Sequence, residues 1–414
     1  MKKRLGPVLL SGLMIGPILG SGIIILPPLV YSTAGNWAFP AWCLIIFFGF
    51  FFARTFAELT ILCPGDGGVS LATEHAFGKK IKLLTSYYLI GAVLFGPAAV
   101  TLTAAKYLTI ANLPTPLVAF PIMLLSSFLL LKEARFVGKA SLVLTSIAAL
   151  ALFISGSLTF MADFSPIAFT LPNFSLKTFS YGMLLLFWTL VGWEVVGNYS
   201  GEVENPQKTI SQAVNVSFTI VAIISLVVAG ATQLVTTVGD PSGITPLFHP
   251  LFGEWSGAIM AFLTLSLCTT TYLLFVGGVA RLIASLSSEN LLPPVFAKKS
   301  ITGAPIIAIL FLSTIYTLVF LAVALELLDV AGIVAFADGF FLVNAIIGLL
   351  AGVKLIKSFI SRTINILLIL IFLFILLQSS HLVLMVIAIL PLWVYRDFFL
   401  KKEQTNAKRD QNCP

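Results

Sequence analysis

Long apolar runs separated by short polar segments fill almost the whole chain. An apolar run of about 20 residues, wound as an α-helix, crosses roughly 30 Å of hydrocarbon. The polar segments between the runs are too short to form domains of their own. The pattern predicts twelve transmembrane helices, at residues 8–31, 37–61, 83–110, 115–131, 137–160, 178–200, 212–237, 255–287, 304–325, 328–354, 363–378 and 380–396.

The composition agrees with this pattern. Of the 414 residues, 58% are hydrophobic and only 10% are charged, whereas charged residues make up about 25% of a soluble domain. The predicted fold class is therefore an all-α polytopic membrane protein.

The positions of lysine and arginine orient the predicted helices. These residues concentrate on the cytoplasmic side of membrane proteins. If the amino terminus lies inside, 22 of the 24 fall on the inner side and only Lys106 and Lys177 on the outer side. We therefore expect both termini in the cytoplasm and the first helix to be retained as a signal anchor. The net charge of +7 belongs to the inner loops, next to anionic membrane lipid, and gives no indication of nucleic-acid binding.

The sequence offers little for an enzyme, which is the competing class of function. There is no HExxH motif or paired-aspartate cluster, and the three histidines are scattered over different loops and helices. The four cysteines show no CxxC spacing, so neither a metal site nor a disulfide framework is indicated. We expect no enzymatic activity and no cofactor.

The first apolar run is interrupted at its centre. Residues 14–28 contain Gly16, Pro17, Gly20, Ser21 and Gly22. Unpaired backbone is tolerated at this depth only where it is buried in protein or lines a watery cavity, so the break is a candidate binding site. Alternatively, the small residues only allow two helices to pack closely.

The sixth run has a similar break. Gly192 and Gly197 lie within it, and Glu194 lies between them. An ionisable residue inside the bilayer is a functional candidate by default. The alternative is a buried carboxylate that bonds neighbouring groups for structure alone.

The two breaks together suggest a transporter. The sixth helix enters the membrane from the side opposite to the first, and broken helices at corresponding positions of two inverted halves indicate a binding site at the midplane. Half-helix amides attract an anionic group and free carbonyls a cation, which suits a zwitterion. We predict a first repeat at 1–160, a second at 161–356, accessory helices at 357–398 and a cytoplasmic tail at 399–414.

Three further features are candidates for supporting roles. Thr270 and Thr271, with Thr269, offer hydroxyls to a sodium ion, although threonines often only bond between helices. Asp338 in the tenth run can carry a coupled proton or pair with a polar neighbour. Residues 63–70, CPGDGGVS, predict a tight turn, and residues 70–78 a short helix along the inner face.

Three stretches resemble the amino acid/polyamine/organocation superfamily of secondary transporters. GPILGSGII at 16–24 is similar to its break in helix one, AELTILCPGDGG at 57–68 to its loop after helix two, and VGWEVVGNYSGEVENPQKTI at 191–210 to its helix six. The resemblance implies the LeuT-like fold, with ten core helices in two inverted halves and two accessory helices. Within the superfamily, the sequence looks closest to bacterial exporters of methionine and branched-chain amino acids.

The resemblance also implies roles for individual residues. It places the substrate carboxylate on amides around Ser21 and Gly22 and its ammonium on carbonyls near Ile18 and Val191. Trp188 matches an aromatic residue that packs on or gates the substrate, and Glu194 a carboxylate involved in proton sensitivity. The full expected substrate set is Ile18, Gly20, Ser21, Gly22, Ile23, Trp188, Val191 and Gly192, with Glu194, Asp338 and Trp188 in coupling or gating. Pro17 replaces a small polar residue of some relatives and removes one amide donor.

These observations favour a transporter of neutral, hydrophobic amino acids in the bacterial inner membrane, coupled to protons or to exchange. Sodium-coupled uptake and an amino acid sensor of the same fold remain alternatives. The expected partners are an amino acid and membrane lipid. The sequence leaves the oligomeric state open, with a homodimer as one option.

Overall fold

The structure is a computed structural model that describes residues 5–108, 113–163, 170–171, 173–235, 243–377, 379, 381–392 and 394. The predicted tail, 399–414, lies outside the described residues, as do positions 109–110, 236–237, 378, 380, 393 and 395–396 of the predicted helices. The remaining predicted elements can be compared with the structure.

The described residues up to 163 contain seven α-helices. They are α1 (Pro7–Leu19), α2 (Gly22–Ala34), α3 (Ala38–Leu62), α4 (Val69–Phe77), α5 (Lys79–Leu108), α6 (Thr115–Leu130) and α7 (Ala134–Asp163). Helices α1 and α2 are the two halves of the predicted first helix, and α4 is the predicted short helix after the tight turn.

The second half begins with the other broken helix. Its first part is α8 (Leu176–Leu186), continued by a 3-10 turn at Phe187–Leu190, and its second part is the 3-10 helix Val195–Glu202. The later helices are α9 (Pro206–Val235), α10 (His249–Phe252), α11 (Ser256–Ser288), α12 (Ile306–Ala324), α13 (Val330–Leu355) and α14 (Phe359–Leu376), and α15 (His381–Leu392).

The helix lengths and compositions confirm an all-α integral membrane protein. Within the described residues, nine helical stretches are long and apolar enough to span a membrane, and two shorter apolar helices, α6 and α15, accompany them. One of the nine, Pro7–Leu62, contains the two crossings made by α1–α2 and by α3. The structure is thus consistent with the predicted twelve crossings.

The packing surrounds the two broken helices with continuous ones. Helix α1 packs against α7, α9 and α11, and α5 packs against α11 and α13. The two breaks meet, because Ile18 Cγ1 lies 3.4 Å from the position that a Cβ on Gly192 would occupy. A single buried core therefore encloses both interruptions.

The face of the bundle on which α1 begins, here called the amino-terminal face, is closed. Leu5 pairs with the end of the second broken helix: its N–H donates to the Glu202 carbonyl at 2.9 Å, and the Glu204 N–H donates to the Leu5 carbonyl at 2.9 Å. Arg281 of α11 forms an ion pair with the Glu202 carboxylate at 2.6 Å and lies 4.3 Å above the Tyr199 ring. The start of α1, the sixth crossing and α11 are thus joined at this face.

The tight turn before α4 adds further contacts there. The Gly65 N–H donates to the Ser200 hydroxyl at 2.8 Å, and this hydroxyl donates back to the Gly65 carbonyl at 3.1 Å. Lys299, in the segment between α11 and α12, pairs with Asp66 at 3.3 Å. The turn predicted from its proline and glycines therefore connects several crossings.

A buried lysine joins three elements near the same face. Lys82, near the start of α5, is only 2% exposed, and its Nζ lies 2.7 Å from a Glu74 carboxylate oxygen and 2.5 Å from a Glu289 oxygen. Glu74 belongs to α4, and Glu289 directly follows α11. The sequence pattern indicated Lys82 only as an inner-side charge and gave no sign of this cluster.

We expect Lys82→Met to lower the midpoint of thermal unfolding of the protein in detergent. Removing one member of a buried ion pair costs about 3–5 kcal/mol, and the lower end applies here because both carboxylates are partly exposed. Lys79→Met, which removes an exposed lysine of the same helix, is the control and should leave the midpoint unchanged. Equal midpoints for the two variants would contradict the stabilising role of the cluster.

Candidate functional site

The break in the first crossing exposes the amino-terminal end of α2. Helix α1 ends at Leu19, and Gly20 takes φ +45°, a left-handed conformation that glycine adopts readily. Its N–H donates to the Gly16 carbonyl at 2.6 Å. The Ile24 and Ile25 amides donate to the Ser21 carbonyl at 3.2 and 3.1 Å, whereas the Gly22 and Ile23 amides at the start of α2 have no acceptor within the helix and can bind an anionic group. The predicted break at Gly20–Gly22 is therefore confirmed.

A small central cavity of about 10 Å³, which has room for about one water molecule, lies beside the two breaks. Pro17 and Val191 contribute one residue from each broken crossing, and Thr271 of α11 adds a hydroxyl. The described residues that line the cavity include no charged side chain; they are Pro17, Gly96, Pro97, Val100, Trp188, Val191, Thr271, Phe275 and Phe341. Its lining suits apolar groups, but in this state the space is too small for an amino acid.

A larger cavity, of about 610 Å³, lies beside α2 and α8, away from the amino-terminal face. Ser21 and Gly22 line it, together with Asp338 of α13. Trp188 and Val100 line both cavities, so the Trp188 indole lies between them. A Cβ on Gly22 would lie 3.1 Å from Trp188 Cδ1, which shows how closely the indole covers the break.

Glu194 lies in the second break but lines neither cavity. It is 1% exposed, and its Oε2 accepts a hydrogen bond from the Gly192 N–H at 3.0 Å. Gly192 takes φ +124°, which residues with a side chain rarely adopt. The carboxylate thus binds the unwound backbone, as expected if its role is only structural. It also lies close enough to the candidate site to be an ionisable group of that site.

The threonines of α11 face the first break. A Cβ on Gly20 would lie 3.1 Å from Thr271 Oγ1, and one on Gly16 would collide with Thr270 and with Thr145 of α7. Both α11 hydroxyls donate to the Leu267 carbonyl at 2.8 Å, which leaves their oxygen lone pairs available. The described residues contain no group of three or more His, Cys, Asp or Glu side chains that could hold a metal ion.

The structure brings most of the predicted residues together. Ile18 and Gly192 meet at the junction of the breaks, Val191 and Trp188 line the central cavity, and Ile23 is buried just beyond the start of α2. The apolar walls of the site were not predicted from the sequence. Those from α5, α11 and α13 are Gly96, Pro97, Val100, Phe275 and Phe341. Of these, only Gly96 and Pro97 stand out in the sequence, as a glycine and a proline within an apolar run. A phenylalanine in such a run cannot be distinguished from any other core residue.

We expect Gly22→Ala to weaken amino acid binding by roughly tenfold. Its added methyl must displace the Trp188 indole, because the two groups would lie only 3.1 Å apart. The control is Gly182→Ala on α8, whose Cβ would make ordinary contacts of 3.4 Å with Val30 and 3.7 Å with Ala34. Thermal-shift titrations with leucine and methionine measure both variants. If both bind like the wild type, Trp188 and Gly22 do not border the substrate site.

Comparisons with known proteins agree with this geometry. Residues 5–402 match the family model described as amino acid permease. An uncharacterised amino acid permease of Bacillus subtilis, YecA, is 25% identical over 345 residues, covering 80% of each chain. The L-methionine/branched-chain amino acid exporter YjeH of Escherichia coli is 23% identical over 383 residues, covering 86% of this chain and 87% of that protein.

A solved structure shares the fold. The crystal structure of MhsT in complex with L-phenylalanine superposes with a TM-score of 0.66 at 15% identity, covering 92% of this chain and all of that chain. This likeness confirms the predicted LeuT-like fold. Because the family model covers nearly the whole sequence, the protein is a transport protein rather than an enzyme, and it belongs to the amino acid permease family.

Proposed function

We propose that the protein is a secondary transporter of neutral, mainly hydrophobic amino acids that works by alternating access in a bacterial cytoplasmic membrane. The observation that carries the proposal is that the two helix breaks meet beside the central cavity. The cavity has apolar walls that suit a hydrophobic side chain, and the start of α2, whose Ser21 and Gly22 line the adjoining larger cavity, offers amides to a carboxylate.

The substrate is held by the two breaks. Its carboxylate binds amides at Ser21 and Gly22, and its ammonium binds carbonyls near Ile18 and Val191. The aromatic walls Phe275 and Phe341, which pack edge to face with ring centroids 5.4 Å apart, then contact the side chain. The name of YjeH, an exporter of methionine and branched-chain amino acids, fits a substrate of this kind.

The asymmetry of the two faces supports alternating access. The larger cavity borders the central one, whereas the amino-terminal face is closed by the Leu5 backbone pairing and the Arg281–Glu202 ion pair. With that face in the cytoplasm, as the lysine and arginine distribution indicates, the structure represents an outward-open state. Export or uptake then requires these contacts to break.

The coupling ion is proposed to be a proton. Asp338 borders the larger cavity and can exchange a proton with it. Glu194 is buried in the unwound stretch, so its proton exchange requires a change of state that opens this stretch. Sodium is the second candidate, because Thr270 and Thr271 face the first break. Trp188 gates the path between the cavities. The repeats 1–160 and 161–356, contacts with anionic lipid and a homodimer remain predictions from the sequence.

The purified protein in proteoliposomes should show saturable flux of leucine, methionine or phenylalanine, and little flux of arginine or glutamate. The apolar, uncharged central cavity is the reason for this selectivity. Flux is measured with a pH gradient, a sodium gradient or amino acid loaded on the opposite side, which separates proton coupling, sodium coupling and exchange. Binding without flux under all three conditions would favour a sensor, and the absence of both would refute the proposal.

We expect Glu194→Gln to flatten the pH dependence of flux. Glutamine keeps an oxygen that can accept the Gly192 hydrogen bond but has no titratable carboxyl group. Glu254→Gln, at an exposed position before α11, is the control and should preserve the wild-type pH profile. A Glu194→Gln profile that is lowered equally at every pH would assign the carboxylate to structure alone, and Asp338→Asn then tests the other coupling group.

A further inference from the structure

The turn between α6 and α7 carries a cluster of basic side chains. Lys132 and Lys139 are exposed, and Arg135 is partly exposed. Arg135 and Lys139 are four residues apart on α7, so they lie on the same face of that helix. Glu133 is the only acidic residue of the turn and is exposed. Among the described residues, no carboxylate lies within ion-pair distance of the three basic side chains, so the cluster keeps its positive charge.

Two kinds of hydrogen-bond donor in this cluster lack an acceptor. Arg135 Nε is buried and has no hydrogen-bond partner within the described part of the chain. The first amides of α7, at Ala134 and Arg135, have no acceptor within the helix, and they form the positive end of the dipole of a 30-residue helix. Because buried polar atoms normally have a partner, an anionic group with several acceptor oxygens, such as a phosphate, would complete the cluster.

The helix surfaces next to the cluster are apolar and exposed. They include Leu124 and Phe128 on α6, and Phe136 and Val143 on α7. Lys132 Nζ lies 4.6 Å above the Phe128 ring, so the ammonium group lies at the end of this apolar surface. Exposed apolar faces of membrane-spanning helices contact acyl chains, and basic side chains at the helix ends reach the level of the lipid headgroups. The surroundings therefore favour a lipid over a free anion.

Neighbouring segments hold the turn in place. Thr302, between α11 and α12, donates its hydroxyl hydrogen to the Leu131 carbonyl at 2.7 Å. Helix α7 packs against the start of the chain, because a Cβ on Gly138 would lie 3.0 Å from Leu5 Cδ2 and 3.3 Å from Leu9 Cβ. The cluster is thus fixed at the amino-terminal face, beside the backbone pairing of Leu5.

We propose that the α6–α7 turn is a binding site for one anionic phospholipid. The phosphate accepts hydrogen bonds from Arg135 and from the first amides of α7, while Lys132 and Lys139 attract its negative charge. The acyl chains lie along the exposed faces of α6 and α7. A zwitterionic headgroup brings a positive charge to the same cluster and therefore binds more weakly. The proposal rests on the membrane location of the protein and does not depend on transport.

Native mass spectrometry of the purified protein in detergent, titrated with phosphatidylglycerol, tests the site. Phosphatidylcholine with the same acyl chains is the zwitterionic control. The first phosphatidylglycerol should bind roughly tenfold more tightly than the first phosphatidylcholine, and an equal concentration of inorganic phosphate should not displace it. Equal affinity for the two lipids would overturn the proposal, as would displacement by phosphate, which would assign the cluster to a free anion.

Two triple variants test whether the affinity comes from this cluster or from net charge. Replacing Lys132, Arg135 and Lys139 with glutamine should weaken binding of the first phosphatidylglycerol by roughly tenfold. The matched control removes three exposed lysines elsewhere on the predicted inner side, through Lys79→Gln, Lys208→Gln and Lys357→Gln, and should keep the wild-type affinity. Equal affinities in the two triple variants would overturn the proposal.

A double variant guards against a folding defect, because Arg135 is partly buried. Lys132→Gln combined with Lys139→Gln changes only exposed side chains. It should still weaken binding of the first phosphatidylglycerol about fivefold, at an unchanged unfolding midpoint. Wild-type affinity in this variant would overturn the proposal. None of these measurements involves transport, so their failure leaves the amino acid flux test intact, and absent flux leaves the lipid site intact.

Discussion

The structure depends on one constraint, which is that backbone amides and carbonyls in hydrocarbon must have partners or be shielded from lipid. Two crossings interrupt the regular backbone hydrogen bonding of the helix, at Gly20–Ser21 and at Val191–Glu194. The protein meets the constraint by enclosing both stretches with continuous helices, chiefly α5, α7, α9 and α11. Because the stretches meet at Ile18 and Gly192, one enclosure serves both. The candidate binding site is thus a consequence of the same packing that shields the breaks from lipid.

The two faces of the bundle are held by different interactions. At the amino-terminal face, backbone pairing by Leu5 and the Arg281–Glu202 ion pair connect the start of α1, the sixth crossing and α11. Each is local and polar, so each can exchange its partners for water when the face opens. The larger cavity on the opposite side is lined mainly by aliphatic side chains, which release water when they come together. Closing that side therefore increases hydrophobic burial, and the resulting stabilisation can offset the cost of breaking the polar interactions at the amino-terminal face.

Much of this architecture could be predicted from the sequence, because membrane spans and helix breaks leave strong local signals. Gly20 and Gly192 both take positive φ values, and their positions in apolar runs indicated the breaks. The walls of the site could not be predicted in the same way. Phe275 and Phe341 differ from other phenylalanines only by which helix face meets the cavity, and that depends on long-range packing. The Lys82 cluster was missed for a similar reason, since Glu74 and Glu289 are far apart in the chain and meet only in the folded protein.

The site residues also show how one protein can apply two kinds of charge recognition. Under the proposed function, charge is recognised by backbone groups at the helix breaks, whose partial charges of both signs are fixed and do not titrate. A zwitterion would match both signs at once, which leaves selection of its side chain to the aliphatic and aromatic walls. In the larger cavity, the charge belongs to the single carboxylate of Asp338, without a complementary positive group in the described lining. Trp188 lines both cavities, so its indole is the group that a molecule passing between them must contact.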